Sequence, residues 1–149
     1  MDTLRESEFL CCMAGDAGVG IGVDAVQEVF ETRLLTRLPG CPEVLMGLAN
    51  LRGSVVPVLN PWGLPSPPGA VKRIAVLKTA EGPVGLLITR LLDLFRFENF
   101  CGIDALPQPI DRTAHCFDAV AESPEAGRVH LLNVERMIAE TLPQTARKG

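Results

Sequence analysis

Arg52 is the one charged residue between Glu43 and Lys72, and it sits in an Asn50-Leu51-Arg52-Gly53 turn between two apolar runs. Val44 to Ala49 lies upstream and Val55 to Leu59 downstream. Asn followed three residues later by Gly is type I turn chemistry, with Gly free to take φ > 0. The segment predicts a buried β-hairpin with a guanidinium at its tip, and Asn50 and Gly53 as its structural turn residues. Such an arginine is either a solvated turn residue or an anchor for a partner's carboxylate, because Arg presents a planar fork of N–H donors.

Residues for covalent or acid–base chemistry are sparse. There is no Gly-x-x-x-x-Gly-Lys loop, no His-Glu-x-x-His and no Gly-x-Ser-x-Gly elbow, so nucleotide and hydrolase chemistry lack their usual carriers. The two histidines are His115 and His130. Cys116 adjoins His115, but neighbours on a strand face opposite ways, so the two form neither a metal site nor a nucleophile–base pair. Glu28 and Asp93 each sit amid apolar neighbours as solvated outer acids or as a paired-carboxylate site, with recognition rather than acid–base work as the functional reading. No catalytic residue, metal or cofactor is expected.

Composition narrows the class further. A chain of 149 residues with 47% apolar content supports one domain, or two small subdomains sharing a core. The net charge of −4 and the lack of a basic run argue against a nucleic-acid surface. Met1 to Glu6 is too acidic for a signal peptide, and Phe9 to Ala14 is too short to span a bilayer. Cys11, Cys12, Cys41, Cys101 and Cys116 form no Cys-x-x-Cys pair, which suits unpaired thiols in a reducing cytoplasm.

These residues must be positioned by short strands. Phe9 to Ala14 predicts a strand, Gly15 to Gly18 a turn, and Val19 the start of a second strand, with Asp24 and Gln27 as a capping box for a helical turn. Prolines and glycines from Asn60 to Ala70 predict a loop, against which Trp62 packs. Val71 to Thr79 and Val84 to Ile88 predict a hairpin turned at Ala80 to Pro83. Residues 98 to 112 read as loop, and His115 to Ala121 with Arg128 to Leu132 as a last hairpin. Asn133 predicts the N-cap of a short terminal helix with Val134, Met137, Ile138 and Leu142 on one face, stopped by Pro143. Residues 143–149 read as a tail.

The two halves repeat each other. Val19 to Phe30 aligns with Val84 to Phe95 at a spacing of 65 residues, keeping valine, glycine, an acid and phenylalanine in place, and Val58-Leu59-Asn60 is echoed by Leu131-Leu132-Asn133. Such a duplication implies two similar small β subdomains, with closed or nearly closed barrels hiding their edges. Their expected bounds are roughly 15–62 and 71–135, within one domain of residues 8–142 in which the halves can exchange strands.

The spaced pattern Leu38-Pro39, Pro42, Gly47, Asn50 to Gly53 and Val55 to Val58 resembles the CheW family of chemotaxis coupling proteins, as do Val26-Gln27-Glu28-Val29 and Leu131 to Met137. The resemblance implies a mainly β fold of two five-stranded SH3-like barrels with a short C-terminal helix. It also implies a non-catalytic adaptor coupling the cytoplasmic tip of a chemoreceptor to a CheA-type histidine kinase, without membrane insertion of its own. Arg52, Val26 and Glu28 would then line the receptor-facing groove. Two departures stand out: Asn60-Pro61-Trp62 replaces the family's Asp-Leu-Arg, and Ile88-Thr89 its Val-Asp, which implies an altered kinase-side contact. Two other classes are distinguishable: a self-assembling scaffold of a divergent chemosensory or pilus-motility system, which would form homo-oligomers without binding kinase, and a Cys-dependent enzyme, which needs a thiol of depressed pKa.

Overall fold

The computed structural model describes residues 2–141. It contains a short helix α1 (Asp2–Glu6), then β1 (Phe9–Ala14), β2 (Ala17–Gly22), β3 (Val26–Thr32), β4 (Leu45–Leu51), β5 (Ser54–Leu59), β6 (Lys72–Thr79), β7 (Gly82–Ile88), β8 (Arg90–Phe95), β9 (Asn99–Cys101), β10 (Phe117–Ser123), β11 (Gly127–Leu132) and helix α2 (Val134–Thr141). The strands form a six-stranded sheet ordered β8-β1-β2-β11-β10-β9 and a five-stranded sheet ordered β3-β6-β7-β5-β4. The fold is mainly β, compatible with the SH3-like expectation. The count of five holds for one sheet, while β9 adds a sixth strand to the other.

The duplication is carried in the register. Glu28 lies opposite Val76, and 65 positions away from each, Asp93 lies opposite Cys11. A bulge interrupts both pairings at the same place, between Val26 and Glu28 and between the residues that face Leu91 and Asp93. β7 pairs with β6 antiparallel and β5 parallel, as β2 pairs with β1 and β11. The hairpins β4–β5 and β10–β11 match too, with Gly47 opposite Val58 and Ala119 opposite Leu131 beside equivalent bulges. Val19 to Phe30 and Val84 to Phe95 thus hold equivalent topological positions. Each crosses between sheets, however: β2 and β8 lie in the six-stranded sheet, β3 and β7 in the five-stranded one.

Glycine at the repeat positions has a steric cause. A Cβ on Gly85 would lie 2.7 Å from Ile74 Cγ2, and one on Gly20 would lie 2.9 Å from both Leu131 Cδ2 and Val129 Cγ1. The largest apolar cluster joins both sheets through residues such as Cys12, Ile21, Leu77 and Leu86, and Met137 and Ile138 of α2 close it. Smaller clusters fill each sheet's own concavity: Ala49, Val58 and Ile74 with Phe30 in one, Phe9, Cys11, Phe97 and Val129 in the other. Phe97 touches Phe9, Phe95 and Phe100 at centroid separations of 6.1–6.4 Å.

Several local expectations need correcting. The second strand begins at Ala17, because Ala14 and Ala17 already pair across a two-residue turn. Likewise Thr79 pairs with Gly82, so the β6–β7 turn is only Ala80-Glu81. A 3₁₀ turn covers Val23–Ala25, but no side chain caps it, so the Asp24–Gln27 capping box does not form. Residues 98 to 112 hold β9 and the start of a 3₁₀ segment, Ile110–Cys116. His115 belongs to that segment rather than to a strand, with His115 exposed and Cys116 buried. Asn133 does cap α2, its Oδ1 accepting from Arg136 N at 2.9 Å. Leu142, Pro143 and the tail lie outside the described residues.

The proline-rich loop is fastened rather than draped. Trp62 is fully buried, donates through Nε1 to Thr113 Oγ1 at 2.8 Å and stacks on Phe117. Asn60 holds the loop's start, its Oδ1 accepting from Leu64 N and its Nδ2 donating to Leu64 O. Thr89 likewise ties distant segments together, its Oγ1 accepting from Gly15 N in the β1–β2 turn at 2.7 Å. The two departures from the family pattern are thus occupied by structural contacts.

Candidate functional site

The β4–β5 hairpin ends in a two-residue turn, since Leu51 pairs with Ser54. Both central residues have positive φ, Arg52 at 50° and Gly53 at 87°. That is the type I′ pattern, whose twist matches the flanking strands, rather than type I. Asn50 stabilises it, its Oδ1 accepting from Gly53 N at 2.8 Å. Gly53 takes its conformation freely, whereas Arg52 holds a left-handed backbone that L-residues rarely adopt. The tip is not buried as expected: Asn50 and residues 52–55 are exposed, because the hairpin projects beyond the sheet it joins.

Arg52 Nη2 donates to Glu28 Oε2, forming an ion pair. Glu28 lies on β3 and Arg52 on the β4–β5 turn, and β3 and β4 are the two margins of one five-stranded sheet. The pair therefore links the two margins, which also meet where Thr36, just past β3, exchanges two backbone hydrogen bonds with Leu48 of β4. Phe30 on β3 packs toward Ala49 and Leu51 of β4 between the same margins. The hydrogen bond and charge of Arg52 hold the Glu28 carboxyl below its ordinary value of 4.5. The Glu28 side chain is 24% exposed and that of Arg52 is 70% exposed, so most of the Arg52 side chain faces solvent.

Of the residues singled out from sequence, Arg52 and Glu28 come together, with Asn50 and Gly53 holding the turn beneath them. Val26 is half-buried, sits across the bulge from Glu28 and packs toward the main core. Asp93 occupies the position equivalent to Glu28 but in the other sheet, so the two acids form no paired site. Its Oδ1 accepts from Leu94 N at 2.7 Å. Sequence reasoning missed Val55, which is 63% exposed and faces Asn50 across the hairpin next to Arg52. The apolar run concealed it, since alternation near a projecting tip turns one face to solvent.

Cys11, Cys12, Cys116 and His130 are buried packing groups, whereas Cys41 is half-buried and Cys101 and His115 are exposed. Burial pushes the thiols of Cys11 and Cys12 up to about 12, with smaller contributions from Asp93 and from Cys11 respectively. Burial likewise raises Cys116. His130 is buried on β11, its Nδ1 at 2.8 Å from Gly18 O, and desolvation holds its pKa below 6.5. His115 Nε2 lies 3.2 Å from Glu140 on α2.

Among the described residues no helix is long and apolar enough to cross a membrane. A CheW-like domain model matches residues 8–142. Over 150 residues the chain is 32% identical to Protein FrzA of Myxococcus xanthus, covering 96% of this chain and 89% of that one. It is 31% identical over 98 residues to Chemotaxis protein CheW of Thermotoga maritima, covering 64% and 65% of the two chains. The crystal structure of scaffolding protein TtCheW from Thermoanaerobacter tengcongensis superposes with a TM-score of 0.69 at 17% identity, covering 85% of this chain and 83% of that one, a likeness of fold. With its duplicated register and a family match spanning nearly its whole length, the chain belongs to the CheW-like domain family.

Proposed function

We propose that this protein is a non-catalytic cytoplasmic adaptor that couples chemoreceptors to a CheA-type histidine kinase within a signalling array. The observation that carries this reading is the Arg52–Glu28 pair, held at an exposed turn of a CheW-like domain with Val55 beside it. A positive φ at a bulky residue is an uncommon conformation that recurs at binding sites. Here it presents the remaining guanidinium donors to solvent, while Glu28 fixes the direction of the fork. Signalling contacts can be small, so one central Arg can dominate them. The raised pKa values of Cys11, Cys12 and Cys116 weigh against thiolate chemistry at those positions.

Calorimetric titration of the chain against a chemoreceptor's cytoplasmic tip tests the proposal. Arg52→Ala should bind on the order of thirtyfold more weakly while remaining folded, the scale of a central hot spot. Arg52→Lys should recover only part of the loss, because the planar fork is gone. Unaltered affinity in folded Arg52→Ala would remove Arg52 from the receptor surface. A parallel titration against the kinase separates coupling from a self-assembling scaffold, which would form homo-oligomers and bind no kinase.

A further inference from the structure

We infer that the mouth of the five-stranded sheet, beside Lys72, is a binding site for one carboxylate carried on a short apolar stem. Lys72 opens β6 on the strand face shared by Ile74 and Val76 and is only 6% exposed. Its ammonium is partly buried at the end of an enclosed stem, so each added acceptor compensates for hydration it has lost. It has one, the Ala70 carbonyl at 3.1 Å, and makes no ion pair among the described residues. A cavity of about 400 Å³ opens beside it, between the proline-rich loop and the β7–β8 junction.

The lining sets the chemistry of the occupant. Leu64, Pro65, Leu87 and Ile88 supply apolar walls, and Ser66 and Thr89 supply hydroxyls. Arg73 also lines the cavity, but Glu31 engages its Nε at 3.1 Å and the Thr89 carbonyl accepts from its Nη1 at 3.4 Å. Lys72 is therefore the cation left for a ligand. Asp16 is the one acid on the wall; it opposes any anion and a dianion such as phosphate about twice as strongly, so the single charge that Lys72 can offset is favoured. The apolar walls favour a stem of a few methylenes, as in an aliphatic acid or a glutamate side chain. This site is independent of the adaptor reading and lies on other residues.

The test is a ¹H–¹⁵N NMR titration of the full chain at neutral pH with butyrate, and with 1-butanol as the uncharged counterpart. Butyrate should shift the Gly15, Val71 and Thr89 amides saturably, and butanol should not. Lys72→Met keeps the stem and removes the charge, and should weaken binding on the order of tenfold. Asp16→Asn should tighten it, an arm that stands even if Lys72→Met fails to fold. Non-saturating shifts, an equal response to butanol, wild-type titration by Lys72→Met or weaker binding by Asp16→Asn would overturn the assignment. Repeating the titration with receptor tip at a concentration that calorimetry shows to saturate the chain separates the sources: competition identifies a partner's carboxylate side chain, and unimpeded binding a free acid.

Discussion

Trp62 offers a direct measure of how firmly the proline-rich loop is built into the fold. Its indole is fully buried, stacked on Phe117 at 6.4 Å and hydrogen-bonded to Thr113 Oγ1 at 2.8 Å. In Trp62→Phe the stacking partner remains, but the donor and part of the ring are lost. The missing volume is roughly 40 Å³, which at about 24 cal/mol per Å³ costs about 1 kcal/mol. The lost hydrogen bond adds about 1 kcal/mol. A total near 2 kcal/mol lowers Tm by roughly 4–8 °C in a domain of this size. Thr113→Val instead strands the indole N–H, at about 1–3 kcal/mol. Once the indole is gone that penalty vanishes, so the double variant should fall short of the summed effects by about 1 kcal/mol. Far-UV circular dichroism is the assay, because Trp62 is the chain's single tryptophan and its fluorescence disappears with it. Melting within a degree of wild type, or additive effects in the double variant, would refute the account.

Three other outcomes are expected. Gly53→Ala should destabilise by about 1 kcal/mol through its φ of 87° alone, since its Cβ would meet nothing within 4 Å, and unchanged urea melting would contradict this. Gly85→Ala should cost about 1–3 kcal/mol by pushing on Ile74 and Val58, whereas Gly22→Ala, with open space and a φ of −52°, should be near neutral in the same melts. Because His130 is held below 6.5 in the folded chain, the unfolded state binds the proton first as pH falls, so stability should decline from pH 6.5 down to the folded pKa. His130→Gln should flatten that part of the Tm–pH curve.

Local patterns told much of this fold from sequence. Alternation and turn residues placed the hairpins β6–β7 and β10–β11, and Asn133 marked the start of α2, since each signal acts within a few residues. The spacing of 65 was readable because both copies must meet the same neighbours, and the bulge recurs with it. β9 escaped notice because a three-residue strand carries too little alternation to be seen. The type I′ turn escaped for a different reason. Arg52 has no intrinsic preference for a left-handed backbone, and only the pairing of Leu51 with Ser54 imposes it.

What the amino-acid sequence determined by itself is the inventory: a β-rich chain in two related halves, with one isolated arginine at a turn and no catalytic motif. Only the tertiary structure decided how the halves share strands, with β3 entering one sheet and β8 the other. Only it placed Glu28 against Arg52, because those residues lie on opposite margins of a sheet and meet when the margins approach. It also turned Trp62 inward onto Thr113 and left Lys72 beside a cavity with a single acceptor. These are contacts between segments far apart in the chain. No residue's own propensity encodes them, since they follow from which apolar faces are buried together and which charges that burial brings side by side.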